Sequence, residues 1–260
     1  GVKPTTIEVV PVFGKTDGLE VSTTPTQDYT SSTNNGLVAY YKFEGDAKDS
    51  SGNGNNGTNN GATFVNGKVG KAAEFVGTDD AGQFIEIPGH SPTLKDITDS
   101  SLTFIAWAKP YTTPSGIQPY GTNAAIICRP GYHIRTSYQN IQKFNFGIWN
   151  SIPTTYNIPS QNTYPINEWH FIASKLDSTT KQIIIYVDDV KSTPTTYFGE
   201  LRDYGTLSYR VGTCWSNNET SPETHNNFYE NWFTGSIDEV IIFNRSLSDA
   251  EIKQIYDSQK

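Results

Sequence analysis

The sequence lacks several features by which protein function is often recognised. It has no methionine, two cysteines and four histidines among 260 residues. No Cys-x-x-Cys pair and no zinc-type Cys/His spacing occurs, so the residues give no support for zinc binding or thiol redox chemistry. No signal peptide is visible either, and we expect a mature or trimmed chain from which a leader has been removed.

Basic residues and long apolar runs are also scarce. Lysine and arginine number 19 against 27 acidic residues, which gives a net charge of −8, and no basic cluster occurs. This balance argues against nucleic acid as a partner. No apolar run approaches the ~20 residues of a membrane helix, so no membrane span is expected. Ser, Thr, Asn, Gly and Tyr are abundant instead, which is typical of an extracellular or cell-surface protein.

The two cysteines, Cys128 and Cys214, leave two interpretations open. In an oxidising compartment they would form a disulfide that stabilises the fold, because it closes a long loop in the unfolded chain. Alternatively, both are buried free thiols.

Short β-prone segments separated by Gly-, Asn- and Ser-rich turns predict the fold class from Leu37 onward. These segments are LVAYYKFE, AAEFVG, QFIEIP, LTFIAWAKP, AAIICRP, YHIRTSY, KFNFGIWN, WHFIASKLD, KQIIIYVDD, LSYRVGTCW and IDEVIIF. A long Gly/Asn loop, GDAKDSSGNGNNGTNNGA, follows the first. Hairpin turns are predicted at residues 177–180 and 188–189. One short C-terminal helix is predicted from the capping box formed by Ser248 and Glu251. We therefore expect an all-β, two-sheet antiparallel sandwich.

The first part of the chain differs from the rest. Residues 1–35 are rich in Ser and Thr and are interpreted as an N-terminal arm or linker. Within them, residues 6–13 have strand propensity, but Pro11 confines them to a sheet edge or an extended strap. Residues 36–260 form the predicted domain, and the arm either packs on it or belongs to a neighbouring module. The arm suggests one module of a longer surface protein, which could be part of a larger surface assembly.

Five blocks, in order, resemble the LamG-like, concanavalin A-like jelly-roll family. They begin with GLVAYYKFEGDAKDSSGNGNNGTNNGATF, continue through GKAAEFVGTDDAGQFIEIP, SLTFIAWAKP and NEWHFIASKLDSTTKQIIIYVDDVK, and end with GSIDEVIIFNRSLSDAEIKQIY. The resemblance implies a jelly roll whose first and last strands are neighbours. It also implies a structural calcium ion near the acid at the start of the last strand, here Asp238.

The loop after Phe43 supplies candidate partners for that calcium. Glu44, Asp46 and Asp49 offer the hard oxygen ligands that calcium prefers, and Gly/Asn backbone can offer carbonyls. In the alternative interpretation, Asp238 caps a turn and the loop is only solvated. The loop lacks the spacing of an EF-hand, so such a calcium would be structural.

The aromatic residues divide into core and candidate ligand-binding positions. Trp107 and Trp169 match core positions of the family. Trp149, Trp215 and Trp232 are candidates for stacking on a sugar ring, because two of them bracket a long polar loop of a kind that is often functional. Candidate hydroxyl partners on the preceding strand are Tyr132, His133 and Arg135. Alternatively, these aromatics close the ends of the sandwich.

Catalysis has little support in the sequence. Retaining glycosidases need two close carboxyl groups, which glucanases of this fold carry as Glu-x-Asp-x-x-Glu on a strand. The nearest segment runs from Glu44 to Asp49, ends in Asp and enters a loop. His133 with Tyr132 or Tyr138 could serve a lyase as base and acid.

The sequence is therefore interpreted as a non-catalytic extracellular recognition module that binds carbohydrate and is stabilised by calcium. A protein-binding adhesion or self-assembly module is the first alternative. A polysaccharide hydrolase or lyase is the second.

Overall fold

The computed structural model describes residues 35–76, 82–89, 91–94, 101–111, 124–129, 131–137, 143–149, 155–201, 207–214 and 232–260. The predicted arm, apart from residue 35, lies outside this part of the chain. The described residues form two antiparallel β-sheets and one helix. Among them, no helix has the length and hydropathy needed to cross a membrane.

The strands are short and follow one another closely along the chain. In order they are β1 (Leu37–Tyr41), β2 (Thr58–Asn60), β3 (Thr63–Asn66), β4 (Lys71–Phe75), β5 (Phe84–Ile87), β6 (Leu102–Pro110), β7 (Ala125–Arg129), β8 (Tyr132–Ser137), β9 (Lys143–Trp149), β10 (Thr155–Pro159), β11 (His170–Asp177), β12 (Gln182–Val187), β13 (Val190–Lys191), β14 (Thr195–Thr196), β15 (Tyr209–Val211) and β16 (Gly235–Phe243), and helix α1 (Asp249–Gln259) ends the chain.

The first sheet, sheet A, has the order β13-β12-β11-β6-β16-β4-β3, with β14 on β12 and β1 on β16. One side of β16 is shared by two strands: β4 pairs with Gly235–Ile237, and β1 pairs with residues as far as Phe243. The expected neighbourhood of the first and last strands is thereby confirmed. The β16–β6 register shifts between Asp238 and Ile241, close to the point where β4 stops pairing with β16 and β1 begins.

The second sheet, sheet B, has the order β10-β9-β8-β7-β15-β5-β2. Side chains alternate between its faces because the strand period is two residues. Phe144, Phe146 and Ile148 on β9 enter the core between the sheets, as Ile85 and Ile87 do on β5. The opposite face of sheet B, which we call the outer face, points away from sheet A.

Sheet A is buried on both faces. Its inner face packs on sheet B, and helix α1 covers its outer face by inserting Ile252 and Ile255 among Trp107, Phe171 and their neighbours. All nine residues of β16 are buried, which explains why its sequence is largely apolar on both faces. The predicted capping box starts the helix: Ser248 accepts from the Glu251 N–H, and Glu251 accepts from the Ser248 N–H.

A disulfide joins Cys128 on β7 to Cys214, which follows β15, across an 86-residue separation with Cα atoms 5.2 Å apart. Of the two interpretations of these cysteines, the structure contains the bridge. It fastens the chain leaving β15 onto the outer face of sheet B.

Several strands were not expected from the sequence. β2 lies inside the predicted Gly/Asn loop, and β3, β10, β13 and β14 were also missed. The sequences of β2 (TNN) and β10 (TYNIP) lack apolar alternation because both strands lie at sheet edges, where few side chains are buried. The two predicted hairpin turns are confirmed by the β11–β12 and β12–β13 pairings.

Candidate functional site

Directly paired residues form a continuous row across the outer face of sheet B. The strand register places in this outer row Asn157, Gly147, His133, Cys128, Arg210, Glu86 and Thr58. At a strand spacing of about 4.8 Å, the row is roughly 29 Å long. Its centre is buried, since His133 is 3% exposed, whereas Thr58 and Asn157 at its ends are exposed.

A glycine gives His133 its place on this face. A Cβ atom at Gly147 would overlap the imidazole and approach the side-chain oxygen of Asn157 to 2.5 Å. His133 therefore lies over β9 and hydrogen-bonds with Asn157 on the next strand. Burial and the nearby Arg135 guanidinium lower the pKa of His133 well below its usual value, so the ring is neutral. A neutral imidazole can both donate and accept hydrogen bonds.

Arg135 lies beside the disulfide at the next same-face position of β8. Its Nη2 approaches the Cys214 sulfur to 3.2 Å, and burial lowers its pKa to about 10. At this value the guanidinium remains charged at neutral pH.

The structure corrects the expected role of Tyr132. Its ring belongs to the core between the sheets and is 1% exposed. Because adjacent strand residues face opposite ways, Tyr132 cannot share a ligand surface with His133. Tyr132 therefore packs the core instead of offering a face to a ligand.

Trp232 lies on the outer face at the far side of the sheet from Asn157. Its ring is half-buried, and its centroid is 6.3 Å from that of Phe84 on β5. The Arg210 guanidinium lies 4.9 Å from the Phe84 centroid. Trp232 is thus brought to the face that carries His133 and Arg135, next to two residues that the sequence reasoning missed.

The alternation of the strands was the signal that could have found them. In QFIEIP, the buried Ile85 and Ile87 leave Phe84 and Glu86 on the opposite face. In the same way, Arg210 alternates with the core residues Tyr209 and Val211.

The other two predicted tryptophans are less fully placed. Trp149 ends β9 opposite Thr155, and its side chain lies outside the described part of the structure. Trp215 lies outside the described residues, one position after the disulfide-bonded Cys214. Trp107 is buried under helix α1 and Trp169 packs against the same cluster, as expected for core residues.

Asp238 sits where β16 passes from β4 to β1. Its Oδ2 accepts hydrogen bonds from the backbone N–H groups of Lys68 (2.9 Å) and Val69 (3.0 Å), and its Oδ1 accepts from Glu239 (2.8 Å). The β3–β4 turn therefore enters the gap in the sheet and closes on this carboxylate. Burial raises the pKa of Asp238 to about 8, against the lowering effect of these hydrogen bonds.

Glu239 is a second buried acid at the same place. Its backbone adopts φ 51°, in the left-handed region, and its carboxylate accepts from Tyr40 Oη and from Gln259 Nε2 (2.6 Å). Gln259 in turn accepts from the Trp107 indole at 2.9 Å. Burial raises the pKa of Glu239 to about 7. Two adjacent acids are thus buried at this point of β16, and Glu239 contacts the end of α1 through Gln259.

The acids predicted as calcium ligands are not gathered into one cluster. Glu44 is exposed and accepts from the Lys71 N–H at 3.2 Å, so it borders the same β3–β4 turn as Asp238. Asp46 is exposed and pairs with Lys48 at 3.2 Å. Within the described residues, no three His, Cys, Asp or Glu side chains converge as a metal site.

Asp49 instead organises the loop after β1. One of its oxygens accepts from the N–H groups of Tyr40 and Ser51, and the other accepts from Ser51 Oγ and the Asn55 N–H. A carboxylate has about four acceptor positions, and these four bonds use them all. Asp49 is thus committed to holding its own loop together.

Comparison with known proteins places the chain in a family. The profile of the Laminin_G_3 family, described as the concanavalin A-like lectin/glucanases superfamily, matches residues 79–253. The chain belongs to this family. The resemblance noted from the five sequence blocks is therefore confirmed. No curated protein matches the chain in sequence.

Solved structures share the fold of this family member at low identity. Domain 4 of AbnA, a GH43 extracellular arabinanase from Geobacillus stearothermophilus solved with arabinotriose, is 21% identical with a TM-score of 0.61, covering 85% of this chain and 98% of that domain. The binding domain of Paraclostridial Mosquitocidal Protein 1 is 16% identical with a TM-score of 0.65, and 87% of this chain matches 53% of it.

The binding domain of botulinum neurotoxin DC, solved with SialylT, is 11% identical with a TM-score of 0.64, covering 88% of this chain and 53% of that one. The chain thus spans about half of the toxin binding domains and nearly all of the arabinanase domain. These likenesses confirm the predicted jelly-roll sandwich.

Proposed function

We propose that this domain is a non-catalytic, extracellular glycan-binding module whose ligand lies on the outer face of sheet B. The observation that carries the proposal is the half-buried Trp232 beside Phe84 and Arg210, on the face that also holds His133 and Asn157. Ligand sites of this kind combine an aromatic surface with a few fixed polar groups. Structural neighbours solved with arabinotriose and with SialylT support the choice of a sugar ligand.

A binding role is favoured over catalysis by the arrangement of the acids. Among the described residues, Glu86 is the carboxylate of the outer row, and a glycosidase needs two acting together. His133, the residue considered for a lyase, is 3% exposed with its ring held against Asn157. The disulfide supports an extracellular setting, because such bridges persist in oxidising compartments.

Calcium would bind at the β16 gap, where the oxygen donors suit a hard cation. Asp238 keeps one acceptor position on Oδ1, and the exposed Glu44 carboxylate borders the same turn. Burial raises the pKa values of Asp238 and Glu239. The positive charge of a bound calcium ion would favour the charged form of these carboxylates. Asp238 holds the β3–β4 turn in place through its two N–H bonds whether or not the ion is present.

A protein-binding adhesion role is the second candidate. Phe198 is 68% exposed, which makes it the most exposed large apolar side chain in the described part of the chain. It lies next to edge strand β10, because its backbone N–H donates a hydrogen bond to Tyr156 Oη at 3.1 Å. Edge strands and exposed aromatics are common contact points for partner chains. A binding domain of the same fold has been solved with rat synaptotagmin II.

A glycan array separates the two candidates. Purified protein is applied with calcium and again with chelator, together with Trp232→Ala and Phe198→Ala. Binding to one glycan class that is lost in Trp232→Ala and kept in Phe198→Ala supports the glycan module. A blank array under both conditions contradicts it and favours the adhesion role.

A further inference from the structure

We infer that the β2–β5 edge of the outer face is a subsite for an uncharged sugar ring, and that Gly82 is the residue that positions its stacking platform, Trp232. The inference rests on the proposed glycan-binding function and names the part of the outer face that receives the sugar. The subsite consists of Gly82, Phe84, Trp232 and the polar residues around them.

Gly82 supports the Trp232 indole, which packs directly on its backbone. A Cβ atom added at this position would overlap Cε3, Cδ2 and Cζ3, three atoms of the six-membered ring of Trp232. The indole therefore lies directly on the backbone of residue 82. The φ angle of Gly82 is outside the left-handed region, so the backbone conformation does not require glycine here. Glycine is needed because any side chain would push the indole out of its seat.

The groups beside the indole extend its apolar surface onto strand β5. Phe84 lies two residues after Gly82 and meets Trp232 at a tilted angle of 41°. Arg210 stacks over Phe84 from the neighbouring strand β15. Both aromatic rings keep part of their surface open, while Arg210 is 8% exposed. An indole fixed in this way loses little conformational entropy when a ligand binds.

The polar groups around the surface suit hydroxyl groups. Asn60 on β2 pairs directly with Phe84, and Thr58 pairs with Glu86, so amide, hydroxyl and carboxylate groups share the face with the rings. These side chains are exposed or half-buried. Together they offer both hydrogen-bond donors and acceptors to a sugar.

The charges of this edge favour an uncharged sugar over an acidic one. Within the part of the chain that the structure describes, the charged residues of the subsite are Glu86 and Arg210, which are directly paired across strands and sum to zero. The chain as a whole carries a net charge of −8, which repels anions. Arg210 is 8% exposed, whereas Glu86 is more accessible. A sialic or uronic acid would therefore bring its carboxylate close to the accessible Glu86, which costs binding energy.

Isothermal titration with arabinotriose, cellotriose and sialyllactose tests the inference. The proteins are wild type, Gly82→Ala, Trp232→Ala, the double variant Gly82→Ala/Trp232→Ala and Phe198→Ala. We expect a neutral trisaccharide to bind wild type and Phe198→Ala equally, with sialyllactose at least about tenfold weaker. Trp232→Ala is expected to weaken binding by at least about tenfold, the loss expected of an aromatic contact residue.

The double variant identifies Gly82 as a residue that acts through the indole. If its alanine only displaces Trp232, the double variant binds as weakly as Trp232→Ala alone, and the two losses do not add. The melting temperature of each variant is compared with that of wild type to check that the domain is folded.

The outcomes separate this inference from the function on which it rests. Wild-type binding to a neutral sugar that is unchanged in Gly82→Ala and Trp232→Ala overturns the subsite and leaves the glycan module standing. Additive losses in the double variant overturn the positioning role of Gly82. Preference for sialyllactose overturns the uncharged ligand. No binding by wild type to any of the three sugars overturns the inference and counts against the glycan function.

Discussion

At position 238 a carboxylate is buried inside a largely apolar strand. It lies at a point of β16 where neither β4 nor β1 supplies a paired neighbour. β4 ends its pairing with β16 at Ile237, and β1 is paired only from Val240 onward. The Asp238 oxygens accept from the β3–β4 turn instead. The gap between β4 and β1 along β16 therefore accounts for an acid in this largely apolar strand, and we propose calcium binding at the same gap.

Asp238→Asn tests both roles of this residue. An amide has one acceptor oxygen, so at least one buried N–H loses its partner, and we expect the unfolding free energy to fall by about 1–3 kcal/mol. If calcium binds here, it should raise the melting temperature of wild type relative to chelator, because a ligand of the folded state stabilises it. Differential scanning calorimetry measures both effects.

Asp46→Asn is the matched control for that experiment. Asp46 is exposed and paired with Lys48, so the calcium response should be retained in this variant. Identical melting temperatures of wild type with calcium and with chelator would contradict the calcium proposal.

His170 links the loop between β10 and β11 to the β12–β13 hairpin turn through a buried ring. Its Nδ1 lies 3.0 Å from the Asp188 carboxylate and its Nε2 lies 3.0 Å from the Pro165 carbonyl. Burial alone would lower the pKa of His170, but the bonds to Asp188 and Pro165 outweigh burial and raise it. Both ring nitrogens face acceptors, which suits the protonated imidazole.

The raised pKa predicts how stability depends on pH. Because the folded value lies above the unfolded value of ~6.5, the stabilisation is complete below that value and is lost as pH rises through the folded pKa. The stability difference between wild type and His170→Gln should therefore be larger at about pH 5.5 than at about pH 8.5. Urea denaturation at the two pH values provides the comparison, and equal differences would refute the assignment.

Residue types predicted where strands occur better than they predicted which sheet face each side chain occupies. Tyr132, His133 and Arg135 were grouped because all three suit a sugar, yet Tyr132 faces the core and the other two face outward. Alternation along YHIRTS contained that information. The contact between Gly82 and Trp232 could not be predicted, because 149 residues of intervening chain separate two positions that only the finished fold brings together.

At the scale of elements, the strands that the sequence revealed are those with a buried face. β6, β11, β12 and β16 read as continuous apolar segments because sheet A is covered by sheet B on one side and by α1 on the other. The edge strands β2 and β10 carry mostly polar or exposed residues, so periodicity gave no sign of them.

Helix α1 provides a test at this scale. Ser248→Ala removes the side chain that accepts from the Glu251 N–H, and we expect a loss of about 1 kcal/mol in unfolding free energy. Ser248→Asp should retain most of the stability, because aspartate is an equally good N-cap. Urea denaturation compares the three proteins. An alanine variant as stable as wild type would show that tertiary contacts alone hold the helix.

For the whole molecule, the disulfide connects β7 to the segment that follows β15, two parts of the chain that are far apart in sequence. In the loop-entropy model, a closed loop of 86 residues stabilises by about 4–5 kcal/mol. We expect the double variant Cys128→Ser/Cys214→Ser to melt at a clearly lower temperature than wild type under oxidising conditions. Under reducing conditions the difference should shrink, and an equal melting temperature in oxidising buffer would contradict a stabilising bridge.

The two sheets also divide the roles of the molecule. Helix α1 covers the outer face of sheet A, whereas the outer face of sheet B carries histidine, arginine and a half-open aromatic edge. The family and the jelly roll could be predicted from five sequence blocks. The sequence could not predict which sheet face is left for a ligand, because this depends on which sheet the C-terminal helix covers.

Hydrogen–deuterium exchange with a saturating neutral glycan tests the central claim most directly, because it shows where on the fold the ligand binds. The expected result is protection of the peptides that contain residues 82–88 and 232–234, with little change around Phe198. Protection confined to residues 195–201 and β10, or none on the outer face of sheet B, would contradict the account.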